Sequence, residues 1–178
     1  DTDWDLIIVV AEALPNFKGE MFDGVLQEVE EGTAVILELR FLNEIAAGRI
    51  APLLEQCGLR WQKGVGRERA TYDPLNYSYV WHDQEHPLVT TPNQPLAPTY
   101  PYPVWWGDAG DMLKLEPGSS SELVAGALVN HPEMNGVLAS CLDNRVIIQT
   151  FASHDYIYRD MIMLWENYIY NALVSHFS

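Results

Sequence analysis

Residues 144–161 read NRVIIQTFASHDYIYRDM and contain, in order, a turn, an apolar run and a polar end. Asn144 is a residue that tight turns favour, and the run after it has the β-branched composition of a strand. The run ends in Ser153, His154 and Asp155. A strand that ends in a histidine beside a carboxylate indicates acid–base chemistry, ligand binding or a cap on a following helix.

The segments around this stretch predict further strands and helices. Residues 158–177 carry apolar side chains at helical spacing, which predicts a final helix that packs back on the sheet. GVLASC at 136–141 is joined to the run by LDNR, which predicts an antiparallel hairpin. LIIVV at 6–10 and TAVILEL at 33–39 are continuous apolar runs, typical of parallel strands covered on both faces. A helical pattern at 20–31 lies between them.

This order of elements predicts the fold. Alternating strands and helices indicate a three-layer, flavodoxin-like α/β open sheet, mostly parallel, with a C-terminal antiparallel hairpin and a terminal helix. The length of 178 residues predicts a single domain, 1–178. Because the first strand begins so close to residue 1, we expect the sequence to be an excised or processed piece of a longer chain. Residues 86–106 contain six of the eleven prolines, which predicts a long extended loop rich in proline and aromatic residues.

The composition is strongly acidic, with 25 Asp and Glu against 10 Lys and Arg and a net charge of −15. Such a chain repels nucleic-acid phosphates and anionic membranes, so we expect no nucleic-acid partner. No apolar run approaches the ~20 residues that span a bilayer. The expected partners are therefore a protein, a small molecule that can be sugar-related, or a second copy of the chain. The compartment does not follow from the sequence.

Five segments of the chain carry a family resemblance: DLIIVV (5–10), LQEVEEGTAVILEL (26–39), LLEQCGLRW (53–61), HPLV (86–89) and NRVIIQTFASHDYIYRDMIMLWENYIYNAL (144–173). They resemble the class I glutamine amidotransferase-like superfamily. The resemblance is to branches without glutaminase activity: the ThuA-like group, associated with sugar utilisation, and the domain shared by gliding-motility and intraflagellar-transport proteins (the GIFT domain). It implies a flavodoxin-like fold and a histidine after the last core strand, which His154 matches by position. It also implies one more strand and helix before DLIIVV, which we expect to lie outside this sequence.

The chain lacks the cysteine nucleophile of the glutaminases that belong to this superfamily. Those enzymes place it in a Gly-x-Cys-x-Gly turn after a central strand, but the equivalent VILELRFLNE (35–44) contains no cysteine, serine or glycine. Cys57 stands at a predicted helix end and Cys141 within a predicted strand. We expect two buried free thiols, with one disulfide as the alternative. Glutaminase activity is not expected, and other enzyme activity stays open.

Polar residues follow the predicted strands at 6–10, 33–39 and 145–151. In an open α/β sheet such strand ends meet at one edge, where ligands bind, and a carboxylate there can orient a histidine as a general base. Aromatic residues of the 86–106 loop can cover this edge. The candidate catalytic residues are His154, Asp155 and Glu38, and the candidate ligand-binding residues are Glu12, Arg40, Trp105 and Trp106.

Structural roles are the alternative for these residues. Arg40 can pair with a neighbouring carboxylate, and Ser153 or Asp155 can cap the final helix. His82 and His86, with carboxylates between them, have spacing that a metal site can use, but on a loop this spacing does not ensure a common face. The HPL turn that follows resembles a structural turn of the superfamily, so no metal or cofactor is expected.

Two functions follow from the sequence. The first is a non-catalytic amidotransferase-like binding or interaction domain, which can be part of a larger protein. The alternative is a ThuA-like enzyme or binding protein that acts on a carbohydrate-related small molecule through the strand-end residues. The enzyme requires a concave pocket in which His154 faces a carboxylate, whereas the binding domain does not.

Overall fold

The computed structural model describes residues 4–11, 19–63, 79–98, 110–127 and 131–178. Within these ranges, strands alternate with helices in the first half and follow one another in the second. The strands are β1 (Leu6–Ala11), β2 (Ala34–Leu39), β3 (Leu59–Gln62), β4 (Val80–Trp81), β5 (Met112–Leu115), β6 (Glu122–Gly126), β7 (Gly136–Cys141) and β8 (Val146–Gln149). The helices are α1 (Met21–Glu31), α2 (Leu42–Ile45), α3 (Ala51–Gln56), α4 (Pro87–Thr90) and α5 (Tyr158–His176), and a 3₁₀ turn (Ser153–Asp155) precedes α5.

The strands described form one mixed sheet in the order β1-β2-β8-β7-β5-β3, with β6 also beside β7 and β4 beside β6. β1 pairs with β2, and β2 with β8, in parallel. The other described pairings are antiparallel. The prediction of an α/β domain is confirmed, and so is the C-terminal hairpin. The prediction of a mostly parallel, three-layer flavodoxin-like sheet is wrong.

Connection type explains the directions of the strands. α1 lies between β1 and β2 in the chain and returns it to the same end of the sheet, which parallel pairing requires. From β6 to β8 the described residues form no helix, and each of these strands is antiparallel to the next.

Every residue of β2 is buried, and both faces of the strand are covered, as the sequence predicts. Val35 and Leu37 belong to a core that includes residues of α1 and α3. Ile36 belongs to a second core on the opposite face, formed with Leu164 and Tyr168 of α5. The alternation follows from the period of two along a strand. Glu38, two residues after Ile36, therefore lies on the face that α5 covers.

β1 differs from its prediction as a strand covered on both faces. Its residues Val9 and Ala11 are buried, but Ile8 is 44% exposed and Val10 is 53% exposed. β1 stands at the end of the strand order and pairs only with β2 in the part of the chain described. An apolar run alone does not distinguish a central strand from an edge strand, and this one is an edge strand.

Cys57 and Cys141 form a disulfide with a Cα–Cα distance of 5.5 Å, so the expectation of two free thiols is wrong. The bond joins the residue after α3 to the last residue of β7. Both cysteines are buried within the first core. The residues are 84 positions apart, and closing a loop of this length contributes about 4–5 kcal/mol in the chain-entropy description.

The predicted loop at 86–106 is described as far as residue 98, and this part is held against α5. Asn167 of α5 accepts a hydrogen bond from the Asn93 amide (2.8 Å) and donates to the carbonyls of Leu88 (3.1 Å) and Asn93 (2.9 Å). Asn171 donates to the Thr91 carbonyl at 2.8 Å. Amide side chains of α5 therefore satisfy a proline-rich backbone that lacks regular pairing.

Candidate functional site

The carboxyl ends of β2 and β8 meet at one edge of the sheet. Glu38 and Gln149 are neighbours in the parallel register of these strands, and each is 1% exposed. The chain leaves β8 and forms the 3₁₀ turn next to them. The structure therefore brings Glu38 beside the turn that carries His154, as the sequence predicts from the strand ends.

Glu38 binds the start of that turn with both carboxylate oxygens. Its Oε1 accepts a hydrogen bond from the Ser153 amide at 2.8 Å, and its Oε2 accepts one from the Ser153 hydroxyl at 2.5 Å. Hydrogen bonds to a carboxylate are stronger than bonds between neutral groups. This buried acid therefore fixes the connection between β8 and α5.

The Ser153 hydroxyl uses all of its hydrogen-bonding capacity. A serine hydroxyl has one proton to donate and two lone pairs to accept with. It donates to Glu38 and accepts from the Trp165 indole at 2.8 Å and from the Gln149 amide at 3.0 Å. We call Glu38, Gln149, Ser153, Trp165 and Tyr168 the strand-end network.

Tyr168 of α5 is the last member of the network. Its hydroxyl donates to the Gln149 side-chain oxygen at 2.8 Å. Burial, with smaller contributions from Glu38 and Tyr156, holds the pKa of Tyr168 well above the ordinary value of 10.0. Tyr168 is thus a neutral donor at physiological pH, and the network is closed on its buried side.

The remaining candidate residues have separate environments. His154 is exposed within the 3₁₀ turn. The Arg40 guanidinium carbon lies 5.1 Å from the centre of the Phe41 ring, and its carbonyl accepts a hydrogen bond from the Asp111 amide at 2.7 Å. Glu12, Trp105, Trp106 and the side chain of Asp155 lie outside what the structure describes.

Ser153 is not the cap of α5, because the N-cap of this helix is Ile157, with no hydrogen bond from its side chain. Ser153 instead binds Glu38. The prediction that Asp155 caps the helix falls on a side chain outside the described part of the chain. The sequence prediction also missed Trp165 and Gln149 as members of the network. Gln149, a polar residue inside an apolar strand, was the available signal.

His86 is a structural histidine and is 7% exposed. Its Nδ1 accepts a hydrogen bond from the Leu88 amide at 3.1 Å and so caps α4. Burial lowers the pKa of His86 below the ordinary value of 6.5, and the charges of Glu122 and Asp83 oppose this effect. Among the described residues no cluster of three or more His, Cys, Asp or Glu side chains can hold a metal ion.

A concave surface lies at the opposite edge of the sheet, around β3. A cavity of about 480 Å³ has Leu54 and Leu59 among its apolar lining residues and is bordered by Trp61, which is 41% exposed. Arg60 and Glu116 form an ion pair at its rim. A neighbouring cavity of about 570 Å³ shares this ion pair and adds Lys114 and Glu133. The volumes are in the range of small-molecule sites.

Comparisons of the chain with protein-family models, with curated proteins and with solved structures found no match. The resemblance to the amidotransferase-like superfamily therefore stays a prediction from the five segments. In the described ranges, no helix is both long and apolar enough to cross a bilayer.

Proposed function

We propose that this chain is a non-catalytic binding or interaction domain. The observation that supports the proposal is the Ser153 hydroxyl, whose proton and two lone pairs are all used by Glu38, Trp165 and Gln149. A substrate at this edge has to displace one of these bonds before it can use that hydroxyl. The predicted catalytic carboxylate is likewise bound to the Ser153 amide.

The burial of the network supports the same proposal. A general base needs to lie within hydrogen-bond reach of a proton on its substrate, and Glu38 is 1% exposed. The network instead connects β2, β8 and α5, which are the central elements of the fold. A buried and fully satisfied polar network of this kind makes a core unique and rigid.

The stability of two variants tests the proposal. Ser153→Ala removes the hydroxyl that binds Glu38 Oε2, Trp165 and Gln149, although the amide of residue 153 still binds Glu38. We therefore expect a loss of about 2–3 kcal/mol in the free energy of unfolding. His154→Ala changes an exposed residue and should stay within about 0.5 kcal/mol. Urea unfolding followed by tryptophan fluorescence measures both.

Ser175→Ala is the matched control, because Ser175 is half-buried like Ser153 but lies on α5. Its free energy of unfolding should stay near that of the parent. Functional sites are often built at a cost in stability, so replacing a catalytic group tends to leave stability unchanged or raise it. An unchanged or raised stability for Ser153→Ala would therefore contradict the proposal and favour catalysis at this edge.

A ThuA-like enzyme or binding protein for a carbohydrate-related small molecule is the second candidate. The observation that favours it is the exposed Trp61 indole beside the Arg60–Glu116 pair. An aromatic face packs on the apolar face of a sugar ring, while charged groups meet its hydroxyls. A thermal-shift titration with sugars and sugar acids tests it, because a specific ligand raises apparent stability. A shift that Trp61→Ala does not abolish would reject this site.

A further inference from the structure

The outer edge of β1 combines three features that rarely occur together. The strand LIIVVA contains no charged residue and no proline. Ile8 and Val10 are 44% and 53% exposed. Among the described residues no strand lies on its outer side. Sheet edges are usually protected by charges, prolines or bulges, and an unprotected apolar edge pairs readily with another strand.

The C-terminal end of α5 lies beside the start of β1. His176 donates a hydrogen bond to the Gly32 carbonyl at 3.0 Å, and its other ring nitrogen lies 3.4 Å from Asp5, just before β1. Ile162 and Ile169 precede His176 at intervals of seven residues, so they lie on the same side of the helix, toward β1. Ile162 is 36% exposed and Ile169 half-buried. We call Ile8, Val10, Ile162 and Ile169 the β1 trough.

Charge decides which kind of strand fits the trough. Residues 1–31 contain nine acidic residues and one basic residue, and Asp5 at the start of β1 has a 67% exposed side chain. Two copies of the chain, each with a net charge of −15, repel one another in this arrangement. A partner with basic residues at its ends is instead attracted to it.

We propose that the β1 trough binds an extended segment of a partner protein, apolar at alternate positions and flanked by lysine or arginine, which adds to the sheet as a strand beside β1. Main-chain hydrogen bonds to the outer edge of β1 supply affinity, and alternate apolar side chains cover Ile8 and Val10. This assignment rests on the proposed function as an interaction domain and names its partner.

The probe is a fluorescein-labelled peptide with alternating valine and threonine at its centre and two lysines at each end. In an edge strand alternate amides point outward, so in the free protein alternate amides of residues 6–11 should exchange rapidly with deuterium. The peptide should bind saturably by fluorescence anisotropy and slow those same amides about tenfold in residue-resolved NMR. A peptide with glutamates at its ends should bind more weakly at low ionic strength, and one with a central proline should not bind.

Val10→Lys and Val174→Lys form a matched pair, because these valines are 53% and 51% exposed. Val174 follows Asn167 and Asn171 at helical spacing and therefore lies on the other side of α5 from the trough. Val10→Lys should weaken binding of the lysine-flanked peptide about tenfold, whereas Val174→Lys should change it less than about twofold.

Four results would overturn the proposal. Equal affinities of the two lysine variants, or protection confined to amides elsewhere, would remove the β1 trough as the binding surface. Slow exchange of all β1 amides before peptide is added would show that another segment of the chain already covers the edge. A dimer in analytical ultracentrifugation that Val10→Lys dissociates would assign the edge to a second copy. The stability test with Ser153→Ala is independent of the edge, so either proposal can fail without the other.

Discussion

The strand-end network, on β2 and β8, and the β1 trough lie on neighbouring strands of the sheet. They differ in whether their side chains are bound within the chain or exposed. In the network every capacity of the Ser153 hydroxyl is occupied within the chain, around a carboxylate that is 1% exposed. In the trough, apolar side chains such as Val10 remain about half exposed beside an edge with which no described strand pairs. We expect the first region to contribute stability, and we propose that the second binds a partner.

The difference shows why a histidine and a carboxylate near strand ends are ambiguous as catalytic signals. Polar residues at strand ends are typical of active sites. Buried polar groups, however, also need hydrogen-bond partners in any folded protein. Here Glu38 meets that requirement by binding Ser153. An exposed apolar edge is harder to recognise in a sequence, because an apolar run such as LIIVV is typical of both central and edge strands.

The largest expected effect comes from the polar contacts that hold residues 87–98 on α5. Asn167→Ala removes three hydrogen bonds of a fully buried side chain and leaves the Asn93 amide without that partner, so we expect a loss of about 2–4 kcal/mol. Urea unfolding measures it. Val174→Ala on the exposed surface of α5 is the control, expected within about 0.5 kcal/mol. Equal losses would mean that the amide contacts are not the cause.

A smaller effect is expected when the pH is lowered, and it acts through His86. Burial lowers the folded-state pKa of His86 below 6.5, so the unfolded chain binds its proton first. This contribution to stability is complete above about pH 6.5 and is lost as the pH falls from there toward the folded-state pKa, by at most about 1.4 kcal/mol per pH unit. Unfolding free energies of the parent and His86→Asn, compared between pH 7.5 and 5.5, isolate it.

Asparagine keeps a side chain that can cap α4 but does not titrate, so the parent should lose more stability than His86→Asn over this range. Glu122→Gln sharpens the test. The Glu122 charge raises the pKa of His86 against the effect of burial, so its removal should steepen the loss. Identical pH profiles for the parent and His86→Asn would show that the imidazole is not the responsible group.

The smallest effect on stability is expected at the β1 edge. Val10→Thr keeps a β-branched side chain at a site that is 53% exposed, so the free energy of unfolding should change by less than about 0.5 kcal/mol. Thermal unfolding measures it, with Val9→Thr as the buried comparison, because Val9 is 5% exposed and its replacement should cost more than 1 kcal/mol. A large loss for Val10→Thr would mean that the edge already packs against something.

Much of the local structure was predictable from the sequence. The hairpin at LDNR, the buried strand β2 and the helix α5 each have a pattern that local chemistry determines. The meeting of Glu38 with the 153–155 turn also followed from strand ends alone, since β2 and β8 are parallel neighbours. The network that forms there was not predictable, because Trp165 reaches Ser153 across twelve residues and a change of element.

The sequence by itself determined where strands and helices form, because periodicity and turn residues act over a few neighbours. Only the tertiary structure decided the rest: the antiparallel majority of the sheet, the Cys57–Cys141 bond and the edge position of β1. Each depends on which distant segments come to lie side by side. Packing and the pairing of buried polar groups decide which distant segments become neighbours. These interactions involve the whole chain, so a local sequence pattern does not predict them.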